Sequence, residues 1–215
     1  MRLRLFPLGE VVLFPGMSLP LQVFEPRYRQ LVTECLEDDE PFGVVLIREG
    51  DEVGDGAIPY DIGTTARIIS AATRPDGVVQ IAATGERRFR INQLHHDRAY
   101  LWADADYLDD TGGEVPAPLI ERVSAHLAHM ARLRAAANGE FEREYEIPET
   151  HTALADAAAV EVDADPEVLQ AVLGTIDVYA RLEALLPLLE DAVEDEERDS
   201  ASAVAQRWRG FGMAN

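Results

Sequence analysis

The stretch "IGTTARIISAATRPDGVVQIAATGERRFRI", residues 62–91, decides the fold. From Ile62, the positions Ile62, Thr64, Ala66, Ile68, Ser70 and Ala72 recur with period two, which predicts one face of a long strand. "RPDG" at 74–77 then turns the chain: Pro75 presets φ and Gly77 tolerates positive φ. The return runs through "VVQIAAT" and, past Gly85, through "RRFRI". There alternation predicts Arg88 and Arg90 outward, with Phe89 and Ile91 inward. Two such runs about a four-residue turn read as a β-hairpin.

Working outward, "FGVVLI" at 42–47 has the length and composition of a buried strand. In "YLWADADY" at 100–107, Leu101, Ala103, Ala105 and Tyr107 share a face. One helix interrupts the strands. From Pro26, suited to a first helical position, Tyr28, Leu31, Val32, Cys35 and Leu36 form one apolar stripe that ends at the acidic "EDDE" of 37–40. Residues 1–112 therefore read as one β-rich domain.

The period changes after "TGGEVPAP" at 111–118. Leu119, Ile120, Val123, Leu127, Met130 and Leu133 repeat helically up to a stop at Asn138-Gly139. A third helix is expected from Asp165, an N-cap followed by Pro166 and Glu167. A longer one from Asp177 carries Val178, Leu182, Leu185, Leu186, Leu189 and Val193, with Pro187 predicting a kink or break. "EDAVEDEERD" at 190–199 reads as a solvated helix end fading into disorder. The expected fold class is α+β: a barrel-type N-terminal domain, a helical bundle over 113–199, and a C-terminal tail over 200–215.

Composition narrows the chemistry. Across 215 residues, 40 acids against 19 bases leave a net charge of −21, which repels phosphate backbones at long range. Every base is an arginine, so the P-loop lysine, a Ser–Lys dyad and a Schiff-base lysine are excluded. The apolar runs are too short for a membrane span, and the start lacks the pattern of a signal peptide. With a single cysteine, Cys35, no internal disulfide forms, so the expected compartment is the cytoplasm.

In order, "FPLGEVVLFPGMSLPLQVFEPRY" (6–28), "FGVVLI", the 62–91 hairpin and "YLWADADYL" (100–108) resemble the N-terminal domain of Lon proteases. The resemblance is strongest to its stand-alone version, the Lon substrate-binding-domain protein, and continues more loosely through "LGTIDVYARLEALLPLLE" at 173–190. It implies a PUA-like β-barrel-type fold with a helical subdomain, and recognition of unfolded or tagged proteins. These residues hold no ATPase or protease module, and without lysine they complete neither site.

The prolines at 7, 15, 20 and 26 suit strand ends and sheet edges. Phe6, Leu13, Phe14, Leu19, Leu21, Val23 and Phe24 either close the barrel or leave an apolar groove where an extended peptide adds as a strand. Leu21, Phe24 and Tyr28, at the strand–helix junction, are the candidates for that groove. Arg87, Arg88 and Arg90, with Arg67 and Arg74, are a solvated face paired to carboxylates or a contact for acidic segments. They lack the interleaved aromatics of a nucleic-acid surface. His126, His129 and the "HHD" of 95–97 do not make a ligand set, so no metal and no cofactor are expected. No serine lies in a G-x-S-x-G context, and Cys35 falls on the apolar stripe. Trp208 and Phe211 dock on the bundle or contact a partner.

The sequence thus reads as a non-enzymatic module that binds unfolded or extended polypeptide, with an adaptor for a protease or chaperone as one form of that role. The rival readings are an interaction domain for one folded partner or for itself, and an unrecognised hydrolase. Neither nucleic acid nor membrane is an expected partner.

Overall fold

The computed structural model of the chain describes residues 1–51, 56–139 and 145–212, with side chains through residue 202. It divides into two compact units: Met1–Asp110 with Asp165–Ile176, and Thr111–Ala164 with Asp177–Asn215.

The first unit holds β1 (Arg2–Leu8), β2 (Ser18–Val23), α1 (Pro26–Asp38), β3 (Phe42–Glu49), β4 (Ile58–Pro59), β5 (Ile62–Thr73), β6 (Val79–His95), β7 (Trp102–Tyr107) and α4 (Pro166–Gly174). β1 runs parallel to β3 and antiparallel to β7, β7 pairs β6, β6 pairs β5, and β5 pairs β3. The pairings therefore close on themselves, which removes most free sheet edges. β2 stands off this circuit, bonded to β6.

Leu3, Leu5, Val45, Phe89, Ala103 and Ala105 fill one part of the interior. A larger cluster joins Phe6, Leu19, Val23, Phe42 and Ile81 to the buried stripe of α1, Tyr28, Leu31, Val32 and Cys35. The 74–77 turn closes as its residues require: Gly77 N–H donates to Arg74 O at 2.9 Å, with Gly77 at φ +83°. Gly85 is required by close approach, since a Cβ there would sit 2.2 Å from Phe14 O.

Two expectations for the hairpin fail, each for a local reason. Irregularities between Thr64 and Ala66 and between Ile68 and Ser70 shift the phase of β5, so Ile62 to Ala72 do not share one face. Thr64 and Thr65 are both buried. Thr64 Oγ1 donates to Leu13 O at 2.6 Å, and Thr65 Oγ1 donates to Arg87 O at 3.2 Å. Beyond this point the strand leaves the core, and Ile69 is 65% exposed.

Arg88 does not face solvent; it is 5% exposed. α4 covers it, and Arg88 Nη1 donates to Leu173 O at 2.8 Å and Thr175 O at 3.0 Å. Those carbonyls belong to the C-terminal end of α4, where no intrahelical donor remains and a cation is favoured. Arg88 also pairs with Asp110. Gln170 Nε2 adds a bond to Ile62 O at 3.0 Å. Sequence grouping places this helix with the 113–199 bundle, whereas its bonds tie it to β5 and β6.

The second unit holds α2 (Ala117–Asn138), α3 (His151–Glu161) and α5 (Val178–Gly212). α3 escapes periodicity because "HTALADAAAVE" offers little hydrophobic contrast, yet Leu154, Ala155, Ala158 and Ala159 are buried. Thr150 Oγ1 caps it by accepting from Ala153 N–H at 3.1 Å.

α5 contains Pro187 without ending there. Both Pro187 and Glu183 are exposed, so the carbonyl that loses its intrahelical donor sits on the wet side. Nor does the helix fade at 190–199. Three of its acids pair with basic groups of α2, Arg122 to Glu190 at 2.5 Å, Arg134 to Glu196 at 2.8 Å and His129 to Glu197 at 2.8 Å, while Asp191, Glu194, Asp195 and Asp199 are exposed. Ser200 Oγ donates to Leu133 O at 3.2 Å, and α5 runs on through 212. Among the described residues no helix is long and apolar enough to cross a membrane.

Candidate functional site

The exposed apolar residue nearest the opening prolines is Phe24, at 61%. It follows β2, whose Leu19 and Val23 are buried and whose Leu21 is half-buried against the same core. Ser18, Pro20 and Gln22 lie on the exposed side. Gly85 N–H donates to Met17 O at 2.9 Å, so by the two-residue period Leu19, Leu21 and Val23 exchange bonds with β6. Pro20 then turns its donorless nitrogen away from β6, where a sheet edge tolerates it. The edge so formed offers backbone groups of Ser18 and Gln22 beside the Phe24 ring.

The sequence candidates separate here. Tyr28 is 5% exposed and stacks on Phe6 with ring centroids 4.2 Å apart. Leu21 packs on the same cluster as Tyr28, and Phe24 stands outside it.

Tyr28 also floors a cleft of about 330 Å³, together with Pro7, Tyr100 and Leu101. Arg27, His96 and Arg98 line it as well, and none of its described lining residues is acidic. Arg27 lies over the Tyr28 ring at 4.5 Å and pairs with Glu25 at 2.9 Å. Arg98 donates to the Tyr100 hydroxyl at 3.3 Å and lies 5.4 Å from the Trp102 ring centroid. The Tyr100 hydroxyl donates to Glu34. That bond, with one from Gln30, holds the Glu34 carboxyl below its ordinary range. Burial, then Glu34, pushes the Tyr100 phenol up. The cleft escapes local sequence patterns because its basic side chains come from α1 and from the 96–98 loop, which lie far apart in the chain.

The hairpin arginines are mostly engaged. Arg87 pairs with Asp109 at 3.2 Å and lies over Tyr107 at 3.7 Å. Arg67 pairs with Glu86 at 2.5 Å, and Arg74 with Asp76 at 3.1 Å. Arg88 is interior, so it is withdrawn as an acidic-segment contact; Arg90 is exposed. His126 lies 3.6 Å from Glu190, and no group of His, Cys, Asp or Glu among the described residues could hold a metal ion. Burial pushes the Cys35 thiol up to about 11, which leaves it protonated and unreactive. The side chains of Trp208 and Phe211 lie outside the described residues.

Comparison with known proteins bears on this arrangement. A family profile described as the ATP-dependent protease La (LON) substrate-binding domain matches residues 2–191. The chain is 34% identical over 197 residues to Lon protease 2 of Myxococcus xanthus, covering 87% of this chain and 23% of that protein. It is 32% identical over 199 residues to the Lon protease of Paraburkholderia phytofirmans, covering 89% and 24%. It thus spans about a quarter of the length of these relatives. Among solved structures, a Lon N-terminal domain protein from Xanthomonas campestris superposes with a TM-score of 0.66 at 28% identity, covering 87% of this chain and 98% of that one. The N-terminal domain of a Mycobacterium avium complex Lon protease shares the fold at a TM-score of 0.66 and 18% identity. The α+β fold, the ordered motifs and the 2–191 match agree: the chain belongs to the Lon substrate-binding-domain family.

Proposed function

We propose that the chain is a non-enzymatic recognition module, binding extended, unfolded polypeptide along the outer edge of β2 beside Phe24. The observation that carries this reading is the 61% exposed Phe24 at the end of an edge strand, in a family described as substrate-binding. Main-chain bonds to Ser18 and Gln22 would give affinity without sequence preference, and Phe24 would take an apolar side chain. Leu21 and Tyr28 support the edge from below by packing the core beneath it. Arg87 and Arg90 are candidates for orienting acidic flanks. An adaptor role for a protease or chaperone in the cytoplasm accords with the family, as does the lack of a catalytic role in a lysine-free chain.

The test is the anisotropy of a labelled, permanently unfolded protein titrated with this chain at low and high salt, followed by a gel. Saturable binding that survives salt, with intact label and about tenfold weaker affinity for Phe24→Ser, is expected. Cleavage of the label, or binding unaffected by Phe24→Ser, would overturn the reading.

A further inference from the structure

The cleft floored by Tyr28 carries chemistry that the β2 edge does not use. In a chain of net charge −21, it gathers Arg27, His96 and Arg98 around an apolar floor with no described acidic lining residue. Arg98 makes no ion pair among the described residues; it donates to the Tyr100 hydroxyl and lies over the Trp102 ring. A guanidinium held at a cavity wall by a phenol and an indole is pre-oriented, and its remaining donors suit a carboxylate.

We propose that this cleft captures the free α-carboxylate of a polypeptide's last residue, with that residue's apolar side chain against the Pro7, Ala99 and Leu101 part of the lining. The inference rests on the reading of the chain as a polypeptide binder and names a second point of contact for such a ligand.

Size and charge select this occupant. About 330 Å³ lies at the small end of ligand cavities, so apolar contact and negative charge must come from one or two residues. An apolar C-terminal residue carries both. An acidic internal segment brings further charges across a surface dominated by carboxylates, and a nucleic acid brings a phosphate at every nucleotide. Both meet repulsion beyond the roughly 8–10 Å over which the local cations are felt. A single terminal carboxylate does not. Capture of chain termini by fixed cationic donors is a general mode of peptide recognition.

The experiment uses the full chain and short labelled peptides ending in Leu. One has a free carboxylate, one is amidated, and one is amidated with an internal Glu; a labelled single-stranded RNA oligomer is the fourth probe. The free acid is expected to bind about tenfold more tightly than the amide, and raising salt should narrow that gap. In Arg98→Gln the two should bind alike. Arg98 is exposed, so this variant keeps its core, and the acid–amide comparison needs no variant at all.

Equal affinity of acid and amide for the unmodified chain would overturn the inference. So would an internal-Glu amide that binds as tightly as the acid, or Arg98-dependent RNA binding. If no peptide binds while unfolded protein still does, the cleft inference falls and the edge reading stands. If neither binds, both fall.

Discussion

Arg88 Nη1 donates to the carbonyl of Leu173 at 2.8 Å, joining positions 85 residues apart. The bond makes α4 part of the strand-built unit, because the last carbonyls of that helix find their donor in β6. Arg88→Met would remove the donor to these carbonyls and break the ion pair with Asp110. A loss of about 3–5 kcal/mol in urea unfolding is expected, as for breaking one side of a buried pair. A loss below about 0.5 kcal/mol would show that the contact does not hold α4 in place.

Gly85 meets a different constraint. Its position 2.2 Å, at a virtual Cβ, from Phe14 O leaves no room for a side chain, and the obstacle is backbone. Gly85→Ala should therefore destabilise by about 2–3 kcal/mol through displacement of the 14–17 loop. Gly113→Ala is the control, since nothing lies within 4 Å of a Cβ there, and its effect on urea unfolding should be small.

The Tyr100–Glu34 bond predicts a pH dependence. The folded state depresses the Glu34 carboxyl, so its stability contribution is present above the unfolded value of 4.5 and is lost as pH falls through the lower folded value. Tyr100→Phe removes the first cause of that depression. The variant should lose stability less steeply below pH 4.5 than the parent chain. Parallel acid-unfolding curves would contradict this account.

Cys35 tests the seating of α1. At 2% exposure, with its thiol pushed up to about 11 by burial, it should react with a thiol reagent at neutral pH only as fast as the protein opens. Fast labelling of the native chain would mean that α1 lifts away from the sheet.

The sequence was legible where pattern and geometry coincide. The stripe of α1 packs as its spacing predicts, and the 74–77 turn closes through the residues that require it. It misled where a distant segment changes the meaning of a local pattern. Arg88 alternates as an outward residue should, and nothing near it in the chain announces that α4 will cover that face. The acids of 190–199 are mostly exposed as read, but the helix does not fade there, because Arg122, His129 and Arg134 pair with three of them. α3 was silent because alanine supplies packing without contrast. At the candidate site, Phe24 was visible as an apolar residue at a strand–helix junction. The cleft was not visible, since Arg27 and Arg98 are far apart in sequence and meet only through the closed sheet.

Hydrogen exchange at the β2 edge is the most direct test. The amides of Ser18 and Gln22 point away from β6, so in the free chain they should exchange faster than those of Leu19 and Leu21. On saturation with permanently unfolded protein, Ser18 and Gln22 should gain protection, and Phe24→Ser should abolish that gain. Binding that protects other segments and leaves Ser18 and Gln22 unchanged would contradict the account.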